Sequence, residues 1–383
     1  MTTAVVDIGS DLERRRWMRE GLVQAASKSF WGAYTGMSKD SVVFQANNEN
    51  SGSGHTVVFD FDGNLSGKAV KGKDTAFGKG EQKKKFSDKM TVERYRLVAD
   101  NGDKFDGVNI GDLSINEHSD SRNKLGDLFI RFKDQMLFDA ASGVVNTESK
   151  AVQAPTHIID LGTTFTYNTL LDISTTLKTS TGFSTGTRRA PLKPFTLQNG
   201  EPCWIMMVDA AMANVLRQDS NYQTVIYNAD VRGNNNRLLS GVIGKIGNLI
   251  LVEAPNFFGS TSGTTPGFGF NDTEIEISGL RQYQGATPAT ALWSGQVGFD
   301  YEATTLHSRG FILGAGALQI AFGKQPDYKW KGSQDFDIKS ESAVEFWSDA
   351  CKTKLKAENA DYKQAKIAEV DYGLIAVDLQ IGA

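Results

Sequence analysis

Residues 121–142 read SRNKLGDLFIRFKDQMLFDAAS and form the longest segment of the chain whose apolar residues keep a helical period. These residues recur at spacings of three and four and therefore share one stripe of a helix: Leu125, Leu128, Phe129, Phe132, Met136 and Ala140. Ile130, Leu137 and Phe138 lie off the stripe, which predicts that the helix contacts protein on more than one side. Gly143 is well placed to end the helix.

The chain is long, and its overall charge is close to neutral. Its 383 residues, of which 40% are hydrophobic, are enough for two domains or for one elaborated domain. Lysine and arginine number 41 against 45 acidic residues, a net charge of −4, so no global basic field attracts nucleic acid. We therefore expect any DNA that the protein meets to be enclosed, without sequence-specific binding.

Cysteine content and hydropathy indicate the compartment. Cys203 and Cys351 are the only cysteines, which fits a reducing compartment and excludes a multi-disulfide scaffold or a zinc ribbon. The first residues lack the apolar run of a secretory signal, and no run of about 18 apolar residues occurs. We expect a soluble protein, made inside the cell, with no membrane partner.

Residues 57–99 predict a long hairpin with a basic tip. Val57, Phe59 and Phe61 alternate with polar or smaller residues, as in a strand with one wet face, and a second strand-like run at 90–99 returns. Between them, residues 68–89 hold eight lysines against three acids and have little to bury. A charged run is often simply a solvated face, and that interpretation stays open here.

The N-terminal residues combine a short predicted helix, within 11–34, with large aromatic side chains. Four large aromatic side chains need a surface on which to be buried: Trp17, Phe30, Trp31 and Tyr34. They can pack on the core of their own chain, which is the commoner outcome, or on a neighbouring subunit.

The rest of the chain predicts a mixture of strands and helices. The run CWIMMV at 203–208 suits a strand buried on both faces, and Asp209 can cap the helix AAMANVLRQ that follows. The pattern also predicts a helix at 169–177, a strand at 247–253, a Gly/Ser/Thr-rich insertion at 256–285 and a closing strand at 372–381. A further helix is predicted at 309–322 (RGFILGAGALQIAF), where small residues allow neighbouring elements to approach closely.

The stretch VVFDFDGNL at 57–65 resembles the first motif of haloacid-dehalogenase-type phosphatases. In that interpretation Asp60 is the nucleophile, Asp62 is the general acid/base, and both help to hold magnesium. That motif needs a buried central parallel strand that opens into a helix, whereas this strand alternates and is followed by a lysine- and glycine-rich run. The next acidic pair, Asp103 with Asp106, comes too soon for the intervening α/β units. These features argue against a phosphatase.

No other constellation predicts chemistry. The four histidines never fall at ligand spacing, and no phosphate-binding loop occurs. The sequence therefore predicts no catalytic residue, no cofactor and no metal site. A structural or binding role follows from this pattern.

Several stretches, taken in order, resemble the major capsid proteins of N4-like tailed phages, a branch of the HK97-type capsid fold. The most specific lies at 191–255, where a Pro-containing strand, an apolar strand, a helix ending Leu-Arg-x-Asp and a strand ending Glu-x-Pro follow one another. The others are ERRRWMREGLVQAASKSFWGAYTG (13–36), TVVFDFDGNLSGKAVKG with GEQKKKFSDKMTVERYRLV (56–98), FDAASG (138–143), GFILGAGALQIAFGK (310–324) and VDYGLIAVDL (370–379).

The resemblance implies an α+β, HK97-like phage capsid fold. Its parts are an N-terminal arm (1–50), an extended β-hairpin loop (51–100), a peripheral domain with a long spine helix (101–160 and 291–383) and an axial domain (161–290). It also implies a non-enzymatic major capsid protein of the virion, assembled in the host cytoplasm into the hexamers and pentamers of an icosahedral head around double-stranded DNA.

The expected partners follow from the same resemblance. They are further copies of the chain, a portal and, as an additional candidate, a decoration protein. The short segment before Asp11 leaves no room for a built-in scaffold, so we expect a separate scaffolding protein. A different β-rich virion component, such as a tail or decoration protein, remains the alternative.

The basic hairpin suggests where copies meet. We hypothesise that its lysines form inter-subunit salt bridges, each worth about 0.2–1 kcal/mol but repeated in every subunit, and that N-terminal aromatics add contacts. The residues in question are Lys68, Lys71, Lys73, Lys83, Lys84, Lys85, Trp17, Phe30 and Trp31.

Overall fold

The structure is a computed structural model that describes most of the chain. It covers residues 29–38, 40–47, 56–62, 68–80, 85–103, 117–142, 155–179, 192–197, 200–230, 242–255, 258–259, 275–277, 280, 282–284, 306–334, 339–355 and 370–382. Within these ranges, no helix is long and apolar enough to cross a membrane.

Four α-helices and a short 3₁₀ turn, Trp31–Tyr34, lie in the described part of the chain. The helices are α1 (Glu117–Ser142), α2 (Tyr167–Thr179), α3 (Ala210–Gln218) and α4 (Ser220–Asp230).

The strands of the described residues fall into two main sheets and three small pairs. In chain order they are β1 (Thr35–Gly36), β2 (Val43–Asn47), β3 (Thr56–Asp62), β4 (Lys85–Thr91), β5 (Glu93–Asp103), β6 (Ile158–Asp160), β7 (Phe195–Thr196), β8 (Pro202–Val208), β9 (Val242–Ile246), β10 (Leu249–Glu253), β11 (Phe258–Gly259), β12 (Ile275–Ile277), β13 (Gln282–Gln284), β14 (Leu306–Leu313), β15 (Leu318–Gln334), β16 (Lys339–Lys352), β17 (Lys354–Leu355), β18 (Val370–Asp371) and β19 (Leu374–Gly382).

The first main sheet supports helix α1. Its order is β1-β2-β15-β16-β5, and α1 packs on it mainly through β16 and β5. Phe346 of β16 meets Phe129 of α1 edge to face, with ring centroids 4.7 Å apart. Ile130, Leu137 and Phe138 are also buried, so α1 contacts protein on more than one side, as predicted.

The second main sheet runs β6-β19-β14-β8-β10-β9, with β7 and β13 attached, and both of its faces are covered. Along β8, Ile205 and Met207 join the core around α1, whereas Trp204 and Met206 join the core beneath α2 and α3. This alternation confirms the prediction of a strand buried on both faces. Asp209 follows at once and caps α3, its carboxylate accepting from the Met212 N–H at 2.8 Å.

The predicted helix at 309–322 is wrong. The segment forms the end of β14, a turn, and the start of β15, with Gly316 in the left-handed region at φ +66°. Because the segment is buried on both sides, its apolar residues are nearly continuous, and their spacing does not distinguish a helix from a strand. Its small residues do allow close approach, but between strands: a Cβ on Gly310 would lie 2.6 Å from the Met207 carbonyl oxygen.

One predicted strand differs from the observed sheets, and the predicted domain boundary at residue 291 falls within one sheet. The returning strand at 90–99 is split at Val92: β4 pairs with β3 in the hairpin, whereas β5 pairs with β16 in the first main sheet. The second main sheet includes strands from both sides of residue 291, because β14 pairs with both β8 and β19. The peripheral and axial assignments stay predictions.

Replacing Gly314 by alanine tests the close approach at the turn. The new Cβ would lie 2.3 Å from the Lys193 carbonyl oxygen, so we expect the free energy of unfolding to fall by about 1–3 kcal/mol. Gly244→Ala is the control, because a Cβ there meets nothing within 4 Å. Urea unfolding of the unassembled chain measures both; equal stability of the two variants would contradict the assignment.

Candidate assembly surfaces and their buried supports

The base of the hairpin is fixed on the first main sheet. β3 and β4 pair antiparallel, with Val57 opposite Met90. Val57, Phe59 and Met90 are buried in one cluster with Val92 and with Ala321 of β15. Leu318, Ile320 and Phe322, the neighbours of Ala321 with the opposite strand phase, pack in the core around α1 instead. The hairpin base therefore covers the face of the sheet that α1 leaves open.

The described part of the hairpin tip, residues 68–80, is exposed. Every described residue from 68 to 80 is exposed, including Lys68, Lys71 and Lys73. Lys83 and Lys84 lie outside the described residues, and Lys85 is described only as backbone in β4, opposite Asp62. The predicted inter-subunit role of these lysines stays a prediction.

The pairing of β3 in the hairpin also argues against the phosphatase interpretation. The strand that carries Asp60 and Asp62 belongs to a two-stranded antiparallel sheet. It therefore lacks the central parallel framework that the motif requires. Among the described residues, no group of three His, Cys, Asp or Glu side chains is placed to hold a metal ion.

A buried carboxylate holds the N-terminal segment on α1. Asp134 accepts hydrogen bonds from the Ser29 hydroxyl and from the Phe30 N–H, both at 2.7 Å. Burial raises the pKa of Asp134, and these bonds, with the nearby Lys133, act in the opposite direction. The pair of bonds fixes the point at which the chain begins its 3₁₀ turn.

The aromatic side chains next to this anchor pack on their own chain. Trp31 is 0% exposed, and its ring centroid lies 5.0 Å from that of Phe138. Phe30 lies 5.4 Å from Phe138 and keeps part of its surface exposed. Of these two, only Phe30 has surface that a neighbouring subunit could reach, and its role there stays a prediction. Trp17 lies outside the described residues.

A buried ion pair joins the end of α1 to the second main sheet. Arg309 of β14 donates to Asp378 of β19 through Nε (2.6 Å to Oδ1) and Nη2 (2.9 Å to Oδ2), and their side chains are 1% and 0% exposed. Its Nη1 lies 3.4 Å from the Ser142 carbonyl oxygen, in the last turn of α1. The guanidinium thus links a helix end and two strands.

A second buried pair lies between β16 and β18. The Lys352 ammonium is 3.1 Å from the Asp371 carboxylate, with side chains 2% and 0% exposed, and Asp371 also accepts from the Thr156 N–H at 2.7 Å. Burial lowers the pKa of Lys352, whereas the Asp371 charge raises it.

A third cluster lies on the face of the first sheet opposite α1. Glu345, 6% exposed, accepts from Arg94 at 2.8 Å and from Lys329, both of which are about half exposed. The hydrogen bonds from these two cations lower the pKa of Glu345 to about 2.

The family match accords with this architecture. The chain matches the family model described as "Phage capsid protein" over residues 6–381. The chain belongs to the phage capsid protein family. No curated protein matches the capsid protein in sequence.

Solved phage capsids share the fold of the capsid protein. The structure "Capsid of Ralstonia phage GP4" is similar with a TM-score of 0.65 and 17% identity, over 99% of this chain and 98% of that chain. The acid-stable capsid structure of Helicobacter pylori bacteriophage KHP30 gives 0.67 and 16%, over 92% and 91%. The head structure of bacteriophage KHP40 of the same host gives 0.67 and 14%, over 100% and 94%.

These findings confirm the predicted α+β, HK97-type capsid fold, a structural role as a phage shell subunit, and a place in the virion. The N4-like branch stays a prediction.

Removing one half of the Arg309–Asp378 pair tests its importance. Asp378→Ala removes the carboxylate from a buried ion pair that the Arg309 guanidinium contacts through two nitrogen atoms, so we expect the free energy of unfolding to fall by about 3–5 kcal/mol. The double variant R309M/D378L replaces both charges of this pair by apolar side chains, and most of the stability should return. Asp40→Ala breaks the exposed Lys193–Asp40 pair and should cost at most about 1 kcal/mol. Equal losses for D378A and D40A in denaturant unfolding would refute the assignment.

The Glu345 cluster makes stability depend on pH. Because the pKa of Glu345 lies below its ordinary value of 4.5, its ion pairs stabilise the fold fully above about pH 4.5 and are lost as the pH falls towards 2. Wild type should therefore exceed Glu345→Gln in stability by on the order of 1 kcal/mol at pH 6, since both partners are half exposed. This difference should shrink as the pH is lowered to 2; a difference independent of pH would contradict the cause.

Proposed function

We propose that the chain is a major capsid protein that assembles into the hexamers and pentamers of an icosahedral phage head around double-stranded DNA, without enzyme activity. The observation that carries this proposal is the family match across residues 6–381. The net charge of −4 suits a container, because a strongly basic lining would hold packaged DNA at many phosphates.

The hairpin supplies a physical reason for assembly. Its base is buried on the first main sheet, whereas the described tip, 68–80, is exposed and contributes nothing to the core. A basic surface of this kind is complementary to a partner that carries acidic groups. We propose that this partner is another copy of the chain, with Lys68, Lys71 and Lys73 in the contact.

Further partners rest on the family resemblance. We include a scaffolding protein, a portal and a decoration protein among them.

Electron microscopy of the purified chain tests the proposal. We expect closed shells or capsomer rings, because the chain belongs to a family of shell proteins. Discrete monomers or trimers at every concentration tried would contradict the proposal and would favour a tail or decoration component.

Charge reversal at the tip tests the lysine contacts. Shells of K71E/K73E should fall apart at lower salt than wild-type shells, since each exposed ion pair contributes about 0.2–1 kcal/mol and is lost at every interface. The control K124E/K178E reverses two exposed lysines on α1 and α2 and changes the net charge equally. Light scattering against salt concentration measures the dissociation. Identical curves for the two double variants would exclude the contacts.

A further inference from the structure

The hairpin tip presents an aromatic side chain that its own chain leaves uncovered. Phe77 is 95% exposed, the highest value among the exposed large hydrophobic residues of the described chain, and Val70 on the same tip is 37% exposed. A single exposed apolar residue is ordinary in a soluble protein. A phenylalanine at the end of an exposed loop is informative because the loop itself offers no core in which to bury it.

The local backbone holds Phe77 at the apex of a turn. The Lys79 N–H donates to the Ala76 carbonyl oxygen at 3.2 Å, and Gly78 has φ +82°. These are features of a type II β-turn with Phe77 at its second position and glycine at the third, where φ must be positive. A Cβ added to Gly72, Gly78 or Gly80 would meet nothing within 4 Å, so the space around the turn is open. The chain thus specifies the turn and leaves its aromatic side chain uncovered.

The charge around Phe77 indicates what can cover it. Residues 68–80 contain four lysines and one aspartate, which gives them a net charge of +3. Because the net charge of the whole chain is −4, the remaining residues together have a net charge of −7. A second copy of the chain therefore offers an acidic counterpart to this tip, and a shell built from identical subunits brings copies together. Packaged DNA would pair with the lysines but would leave the aromatic side chain without an apolar recess.

We infer that Phe77 is the apolar anchor of a contact between the hairpin tip and a second copy of this chain, with the tip lysines as its polar rim. The inference rests on the proposed self-assembly and adds to it the residue that carries the contact. Buried aromatic anchors contribute most to an interface, whereas exposed charges around them mainly set orientation and rate. The two contributions differ in their response to salt, because screening weakens the lysine pairs and leaves the apolar contact intact.

Assembly of Phe77→Ala tests the anchor. Because the side chain is exposed in its own subunit, the variant should fold as the wild type does, by circular dichroism and urea unfolding. The concentration at which shells form should rise at least about tenfold, and the increase should persist at high salt. Phe77→Trp should assemble nearly as wild type. Met37→Ala is the control, since Met37 is a 70% exposed hydrophobic residue outside the hairpin.

A photo-crosslinking amino acid at position 77 identifies the partner directly. Irradiated shells should yield crosslinks between two chains, located by mass spectrometry on the receiving subunit. Crosslinks confined to one chain, or a Phe77→Ala variant that assembles at the wild-type concentration, would overturn the inference and leave the proposed function standing. Failure of the wild-type chain to assemble at all would instead overturn the proposed function together with this contact.

Discussion

The turn between β14 and β15 is the constraint on which the two main sheets depend. Its backbone makes hydrogen bonds to four separate segments: Gly314 N–H to Gly373 O (2.9 Å), Ala315 N–H to Lys193 O (2.8 Å), Gly316 N–H to Ser41 O (2.7 Å), and Thr353 N–H to Ala317 O (3.0 Å). β14, which enters the turn, lies in the second main sheet, and β15, which leaves the turn, lies in the first main sheet. Side chains larger than hydrogen at 314 would push the Lys193 backbone away, so glycine here is a requirement of packing.

The buried ion pairs act around the same junction. Arg309 lies in β14, the strand that enters the turn. Lys352 directly precedes Thr353, whose N–H donates to the Ala317 carbonyl oxygen at the turn. A buried pair contributes little net stability compared with apolar residues of similar volume, but either charge alone is costly. Such pairs therefore penalise every arrangement in which β14, β19 and the end of α1 are not correctly registered. The hairpin and the N-terminal segment attach to a body whose geometry is set in this way.

The elements that sequence reasoning identified are those with local signals. Helix α1 has an amphipathic period, β8 is a continuous apolar run, and Asp209 stands at a helix start. The segment 309–322 carries no such signal, because burial on both sides removes the apolar period that distinguishes a strand from a helix. The charged Arg309 and Asp378, each within an apolar run, were a usable signal of a buried pair, although nothing local indicated that they face each other.

The contact proposed for the hairpin tip is predictable from sequence for its lysines and less so for Phe77. Composition alone places the lysines on an exposed loop, because residues 68–89 cannot form a core. Phe77 gives a weaker signal within this charged run, a lone aromatic residue before glycine in AFGKG. Trp31 shows the limit of composition: the same aromatic character that suggests an interface can be satisfied inside one subunit.

The position of β2 has a consequence for synthesis on the ribosome. β2 pairs in parallel with β15, and β5 pairs with β16, so strands from the first third of the chain require partners from its last fifth. Until those residues have emerged, β2, β5 and the sheet-facing side of α1 lack their binding surface, and such long-range pairing is intrinsically slow. A nascent subunit thus becomes competent for assembly only near the end of translation, and premature joining of incomplete chains is disfavoured by the topology itself.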